Sequence, residues 1–124
     1  NIYFYNNNGK LMWKNSIYNK IIDYDISHEN QKINILLEKD NSDELISYNF
    51  EGKVIEIQEA PSAVTDLKIF VNKILVYNNN EIYLLHSNKA DKIFEDNENI
   101  YDISIEGNTI YILFKNKIIK GQIK

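Results

Sequence analysis

The sequence repeats one five-residue pattern three times. It reads IDYDI at residues 22–26, TDLKI at residues 65–69 and YDISI at residues 101–105. Each copy has Asp in second place and Ile in fifth place, and its β-branched and aromatic residues suit a pleated strand better than a helix. The copies recur about every 40 residues, a period typical of repeat architectures.

Each copy is followed by further strand-like segments in a constant order. The second strands are residues 33–37, 73–77 and 109–113, and the third strands are residues 45–48, 82–85 and 118–121. The first two repeats add a fourth strand, at residues 53–57 and 92–94. Four antiparallel strands in about 40 residues match one propeller blade. The pattern predicts an all-β fold of antiparallel four-stranded blade-like repeats, a partial β-propeller of about three blades.

Two stretches, IYFYNNNGKLMW at residues 2–13 and YNFEGKVI at residues 48–55, share a Tyr, an Asn and a Gly-Lys pair. They resemble the β-propeller repeats of the WD40-like and pyrroloquinoline-quinone-type families. In the quinone-type blade a similar turn joins the third strand to the fourth and its Trp packs between blades. The resemblance implies blade-like repeats over nearly the whole chain. The copy at residues 85–89 has no Gly, the Trp-Asp dipeptide of WD40 repeats is absent, and no cofactor ligand carries over.

The repeats suggest a single all-β repeat domain at residues 1–124. Residues 1–20 are predicted to form a partial blade, residues 21–63 and 64–99 a blade each, and residues 100–124 another partial blade. Propellers usually have four to eight blades and remove their sheet edges by closing. We therefore expect further blades from a longer parent chain, or self-association into a homo-oligomer. An irregular β-sandwich or a β-solenoid would fit the same strand pattern.

The composition argues against several kinds of partner. The net charge is −4 and all 14 basic residues are Lys, whereas nucleic-acid sites need a basic surface and favour Arg. The chain has no Cys, which excludes disulfides and thiolate metal sites. No apolar run approaches the roughly 18 residues of a membrane-spanning helix. Without a signal-peptide pattern or an Asn-x-Ser/Thr sequon, a soluble cytoplasmic protein is the expectation.

Few residues suggest chemistry. Asp23 and Asp25 lie on one predicted strand face, and paired carboxylates catalyse glycoside hydrolysis. Asp23 however recurs as Asp66 and Asp102, and a residue needed in every repeat is expected to accept backbone hydrogen bonds in a turn. His28 lies in a polar hairpin and is expected to be a surface residue, as is the second histidine at position 86. Neither catalytic residues nor cofactor or metal ligands are predicted.

Polar loop tips are the remaining candidates for contact with a partner. The oxygen-rich run at residues 40–44 lacks the Gly and the spacing of an EF-hand loop, so a solvated hairpin tip is expected. The predicted interaction residues are Asp40, Asn41, Asp43, Asn79, Asn80 and Asn116. The first functional hypothesis is a non-catalytic protein-interaction or scaffold module. The alternatives are a segment of a larger propeller enzyme, a hydrolase or oxidoreductase with its active site mostly elsewhere, and a self-assembling structural protein.

Overall fold

The computed structural model describes residues 1–123, which form thirteen β-strands and no helix. The strands are β1 (Ile2–Tyr5), β2 (Leu11–Asn15), β3 (Ile21–Ser27), β4 (Lys32–Leu37), β5 (Asp43–Asn49), β6 (Val54–Ala60), β7 (Asp66–Phe70), β8 (Lys73–Tyr77), β9 (Glu81–His86), β10 (Lys89–Glu95), β11 (Asp102–Glu106), β12 (Thr109–Leu113) and β13 (Ile118–Gln122). The predicted all-β class is confirmed.

The strands form four antiparallel sheets in chain order. They are β1-β2, β3-β4-β5-β6, β7-β8-β9-β10 and β11-β12-β13, so every strand pairs with its neighbour in sequence. The chain divides into two compact units, Asn1–Ser62 and a second unit that begins at Ala63. The first two sheets belong to the first unit, and the last two belong to the second unit.

The second, third and fourth sheets have the same register between their first and second strands. Tyr24 pairs with Ile35 in the second sheet, and Ile103 pairs with Ile112 in the fourth. In the third sheet the equivalent pair is Leu67 with Val76. In all three sheets the residue after the repeated Asp forms this pair. Because side chains alternate between the faces of a strand, an equal register places equivalent residues on equivalent faces.

In the first unit, the hairpin β1-β2 packs its apolar side chains against the face of the sheet β3–β6. Ile33, Ile35, Leu37 and Tyr48 form the buried cluster of this unit. Phe4 and Trp13 from the hairpin pack against that cluster, and their rings stack with centroids 5.3 Å apart. The Trp13 indole also donates a hydrogen bond of 2.6 Å to the Phe50 carbonyl oxygen. Trp13 thus joins the hairpin to the turn after β5.

In the second unit, the sheets β7–β10 and β11–β13 bury their faces against each other. Leu75, Tyr77 and Ile82 from the third sheet lie in one buried cluster with Ile103 and Ile105 from the fourth. Phe114 and further isoleucines complete the cluster. Burial of branched aliphatic side chains contributes about 1.5 to 3 kcal/mol each. This apolar contact therefore stabilises the unit.

The turns β1–β2 and β5–β6 have the same hydrogen bonds. In each, an Asn side-chain oxygen accepts backbone N–H groups from the residues two and four positions ahead, Asn6 at one turn and Asn49 at the other. Gly9 and Gly52 end the two turns at φ of +78° and +85°, a conformation in which a Cβ atom is disfavoured. β1 and β5 are therefore equivalent strands, as the shared Gly-Lys sequence suggests.

We predict that Gly52→Ala destabilises the first unit more than Gly9→Ala does. Both substitutions put Ala at positive φ, which costs about 1 kcal/mol. A Cβ at Gly52 would also lie 2.8 Å from Trp13 Cδ2, whereas a Cβ at Gly9 would meet nothing within 4 Å. Overpacking adds roughly 1 to 3 kcal/mol. Urea unfolding followed by Trp13 fluorescence measures the difference, and equal losses of stability would contradict the packing of Trp13 on this turn.

Candidate functional site

The first unit contains an open cleft of about 600 Å³ between β1 and the sheet strands β3 and β4. Its walls are mainly apolar, and they include Ile2, Phe4, Tyr24, Ile26, Ile33, Ile35 and Phe50. No Asp, Glu or Lys side chain lines it; the polar groups at its margin are Asn1, Asn7 and His28. The cleft therefore suits an uncharged, largely apolar occupant.

Two large side chains of β3 are exposed beside this cleft. Tyr24 is 64% exposed and Ile26 is 49% exposed, whereas Ile33 and Ile35 on the adjacent strand are buried. Tyr and Ile at alternate positions of β3 share one face of the sheet. Exposed apolar patches with a polar margin are characteristic of binding surfaces.

Strand β1, which forms one wall of the cleft, is an edge strand of its two-stranded sheet. Within residues 1–123, β1 pairs with β2 alone, whereas its equivalent β5 pairs with both β4 and β6. Tyr3 and Tyr5, which alternate with the inward Ile2 and Phe4 on β1, also line the cleft. The cleft is therefore lined by side chains from both faces of β1.

His28 lies at the margin of the cleft rather than in a catalytic group. Its ring is exposed and contacts Phe50 edge to face, with the ring centroids 6.0 Å apart. The other histidine, His86, is in the second unit and pairs with Asp91 across the hairpin β9–β10. Among residues 1–123, no three His, Asp or Glu side chains are grouped as a metal site.

The six predicted interaction residues differ in their exposure to solvent. Asp40, Asn41, Asn79 and Asn116 are exposed in loops. Asp43 is instead 3% exposed at the start of β5, where it accepts a hydrogen bond from the Lys39 backbone N–H. Asn80 is half-buried and donates to backbone carbonyl oxygens of residues 96–98. The structure thus gives Asp43 and Asn80 local structural partners. None of the six residues lines the cleft.

Each repeated Asp is hydrogen-bonded near the start of its sheet. Asp23 accepts a hydrogen bond of 2.8 Å from the Tyr24 backbone N–H, and Asp102 accepts one of 2.9 Å from the Ile103 N–H. Asp66 accepts one from the Thr65 hydroxyl. Asp23 and Asp102 thus accept backbone hydrogen bonds as expected, but both do so within a strand and not in a turn. At Asp66 the donor is a side chain.

A charged cluster lies on β9 and β10 of the second unit. Lys92 Nζ is 2.8 Å from Glu81 Oε2 and 2.9 Å from Glu95 Oε2. The hydrogen bond from Lys92, with others from Tyr83 and Asn78, lowers the pKa of Glu81 to about 2. The same hydrogen bonds to Glu81 and Glu95 raise the pKa of Lys92. The ion pair between Lys92 and Glu81 joins β10 to β9, and this favours a structural role.

The sequence did not predict the cleft, and no matching protein offers an equivalent binding site for comparison. No family model matches the chain, and no curated protein matches it. No helix within residues 1–123 is long and apolar enough to cross a membrane. Tyr24 and Ile26 alternate on one strand, and this pattern does not distinguish a covered face from an exposed one.

We predict that Lys92→Met raises the pKa of Glu81 from about 2 toward its ordinary value of 4.5. Since the folded-state pKa is lowered, the contribution of Glu81 to stability is present above pH 4.5 and disappears as the pH falls through about 2. The stability difference between wild type and variant should therefore shrink over that range. Carboxyl NMR titration and urea unfolding measure both quantities.

Lys89→Met is the matched control, because Lys89 is an exposed residue of the same strand. It should leave the titration of Glu81 unchanged. An equal pKa of Glu81 in wild type and Lys92→Met would show that the contact between the two side chains does not persist in solution.

Proposed function

We propose that this chain is a non-catalytic protein-interaction module built from propeller-type repeats, and that it binds a partner protein at the cleft of the first unit. The observation that carries the proposal is the apolar cleft itself, where Tyr24 and Ile26 stand exposed beside buried Ile33 and Ile35. Exposed Tyr side chains are favoured at binding hot spots, because they bury a large area at little cost in conformational entropy.

The repeat organisation supports the propeller-type part of the proposal. Two consecutive sheets of four antiparallel strands, β3–β6 and β7–β10, follow chain order in the manner of blades. The first and second strands of the sheets share one register. The Asn-Gly turns after β1 and β5 are equivalent, as expected for the third-to-fourth-strand turn of successive blades.

The chemistry of the cleft supports a protein as the partner. A cleft without charged side chains offers little to nucleic acid or to a phosphorylated ligand. Its apolar wall offers burial to the side chains of a partner polypeptide. A cleft of about 600 Å³ would accommodate several side chains of a partner.

The proposal is tested by replacing Tyr24 with the photo-crosslinking residue p-benzoylphenylalanine. On irradiation in extract of the source cells, we expect one defined cross-linked protein, which excess unmodified chain competes away. That protein, once purified, should bind wild-type chain and lose about tenfold or more in affinity for the Tyr24→Lys/Ile26→Lys variant. Titration calorimetry measures the affinities.

Two controls make this test specific. Tyr18 is 94% exposed and does not line the cleft, so the same cross-linker at Tyr18 should not capture that protein. Ile55→Lys/Ile57→Lys changes two exposed apolar residues on β6, the opposite edge strand of the same sheet, and should bind normally. Capture at both positions, or equal affinity of both Lys variants, would overturn the cleft as the binding surface.

A further inference from the structure

The turn between β1 and β2 contains the only Asn-Gly pair of the sequence, Asn8 and Gly9, and the sequence has no Asp-Gly pair. In an Asn-Gly pair the Gly backbone nitrogen can attack the carbon of the Asn side-chain amide, because Gly has no Cβ atom to hinder the approach. Asn is for this reason one of the thermally labile residues of proteins. The turn therefore contains the reactive pair for a modification that needs no enzyme.

The structure of the turn leaves this pair room to react. Asn8 is exposed, and its side-chain amide has no hydrogen-bond partner among residues 1–123. Gly9 has φ of +78°, and a Cβ atom placed there would meet nothing within 4 Å. The attacking nitrogen is held by one hydrogen bond, 3.0 Å from the Gly9 N–H to the Asn6 carbonyl oxygen. Local opening of such an exposed turn costs far less free energy than global unfolding.

The equivalent turn after β5 is held more firmly. Its Gly52 carbonyl oxygen accepts a 2.9 Å hydrogen bond from the Asn15 side-chain amide, and its Phe50 carbonyl oxygen accepts one of 2.6 Å from the Trp13 indole. Glu51 stands where the first turn has the Asn of its Asn-Gly pair. Within residues 1–123, no strand side chain forms a hydrogen bond to the turn at residues 6–9. The reactive pair therefore lies in the more open of the two turns.

We infer that this open turn makes Asn8 a site of spontaneous deamidation, and that the isoaspartyl product releases the hairpin β1-β2 from the core of the first unit. The Gly9 nitrogen forms a bond to Asn8 Cγ and gives up its proton, which leaves with the side-chain nitrogen as ammonia. Water then opens the cyclic imide at one of its two carbonyl carbons. One opening gives Asp in a normal backbone, and the other gives isoaspartate, in which the backbone runs through Cγ.

The two products differ in their effect on the turn. Asp keeps the length of the backbone, and Glu51 in the equivalent turn shows that a carboxylate is compatible with this position. Isoaspartate adds one carbon to the backbone inside the ring of hydrogen bonds that close the turn on Asn6, so these bonds cannot all persist. The hairpin brings Phe4 and Trp13 to the buried cluster of the first unit. The isoaspartyl chain should therefore be less stable than the unmodified chain.

The reaction is tested by incubating the full chain in mildly alkaline buffer, which favours loss of the proton from the Gly9 nitrogen. Peptide mapping by mass spectrometry locates the converted residues, and labelling by protein isoaspartyl methyltransferase identifies isoaspartate. We expect Asn8 to be converted before any other Asn, with isoaspartate among its products. Asn8→Gln should remove this signal, because its longer side chain forms the imide less readily. Absence of isoaspartate at position 8, or earlier conversion of another Asn, would overturn the inference.

Glu51→Asn tests whether the structure of the turn controls the reaction. It creates a second Asn-Gly pair in the equivalent turn, and circular dichroism verifies that the variant folds. We expect this pair to react about fivefold or more slowly than Asn8, because two additional hydrogen bonds and the Trp13 ring hold that turn. In the urea-unfolded chain the two pairs should react at similar rates. Equal rates in the folded chain would contradict the role assigned to the open turn.

Urea unfolding tests the effect of isoaspartate on the hairpin, with the fluorescence of Trp13, the one Trp of the sequence, as the signal. The isoaspartyl chain, purified after incubation, should unfold at a lower urea concentration than the unmodified chain. Its amide hydrogen exchange at residues 2–5 should also be faster. Asn8→Asp, the matched control, should resemble wild type in both measurements. An isoaspartyl chain as stable as Asn8→Asp would overturn the release of the hairpin.

Discussion

Each small sheet of this protein depends on a second layer that covers its apolar face. A few short strands cannot bury enough surface by themselves, because a single sheet leaves both faces open to water. In the second unit the isoleucines of β11 and β12 are buried by side chains of β8 and β9. In the first unit the hairpin β1-β2 supplies Phe4 and Trp13 for the same purpose. The packing of sheet on sheet therefore governs both the stability and the open surface of the protein.

The local structure makes this packing possible by fixing the turns. Asn6 and Asn49 each bind two backbone N–H groups ahead of them, which closes the turn between two strands with a constant geometry. At the second of these turns Gly52 also leaves room for the Trp13 ring. The Asn and Gly of this turn thus fix the connection between two strands. At Gly52 the same turn also contacts Trp13 of the hairpin β1-β2.

The link from packing to function is the incomplete cover in the first unit. The hairpin reaches Ile33 and Ile35 but leaves Tyr24 and Ile26 exposed. The proposed interaction function rests on this exposed apolar surface, because a partner that covered it would bury two large side chains.

The sequence by itself determined the local structure: the all-β class, most strand positions, the repeat and the Asn-Gly turns all follow from residue type and spacing. The turn between β9 and β10 has no Gly, and there Ser87 and Asn88 adopt positive φ. Exposure was decided only by the tertiary structure. Tyr24 and Ile103 occupy equivalent positions in similar stretches, yet one is 64% exposed and the other 2%. The reason is physical: a strand pattern specifies which face is apolar, but burial of that face depends on which strands of another sheet lie against it.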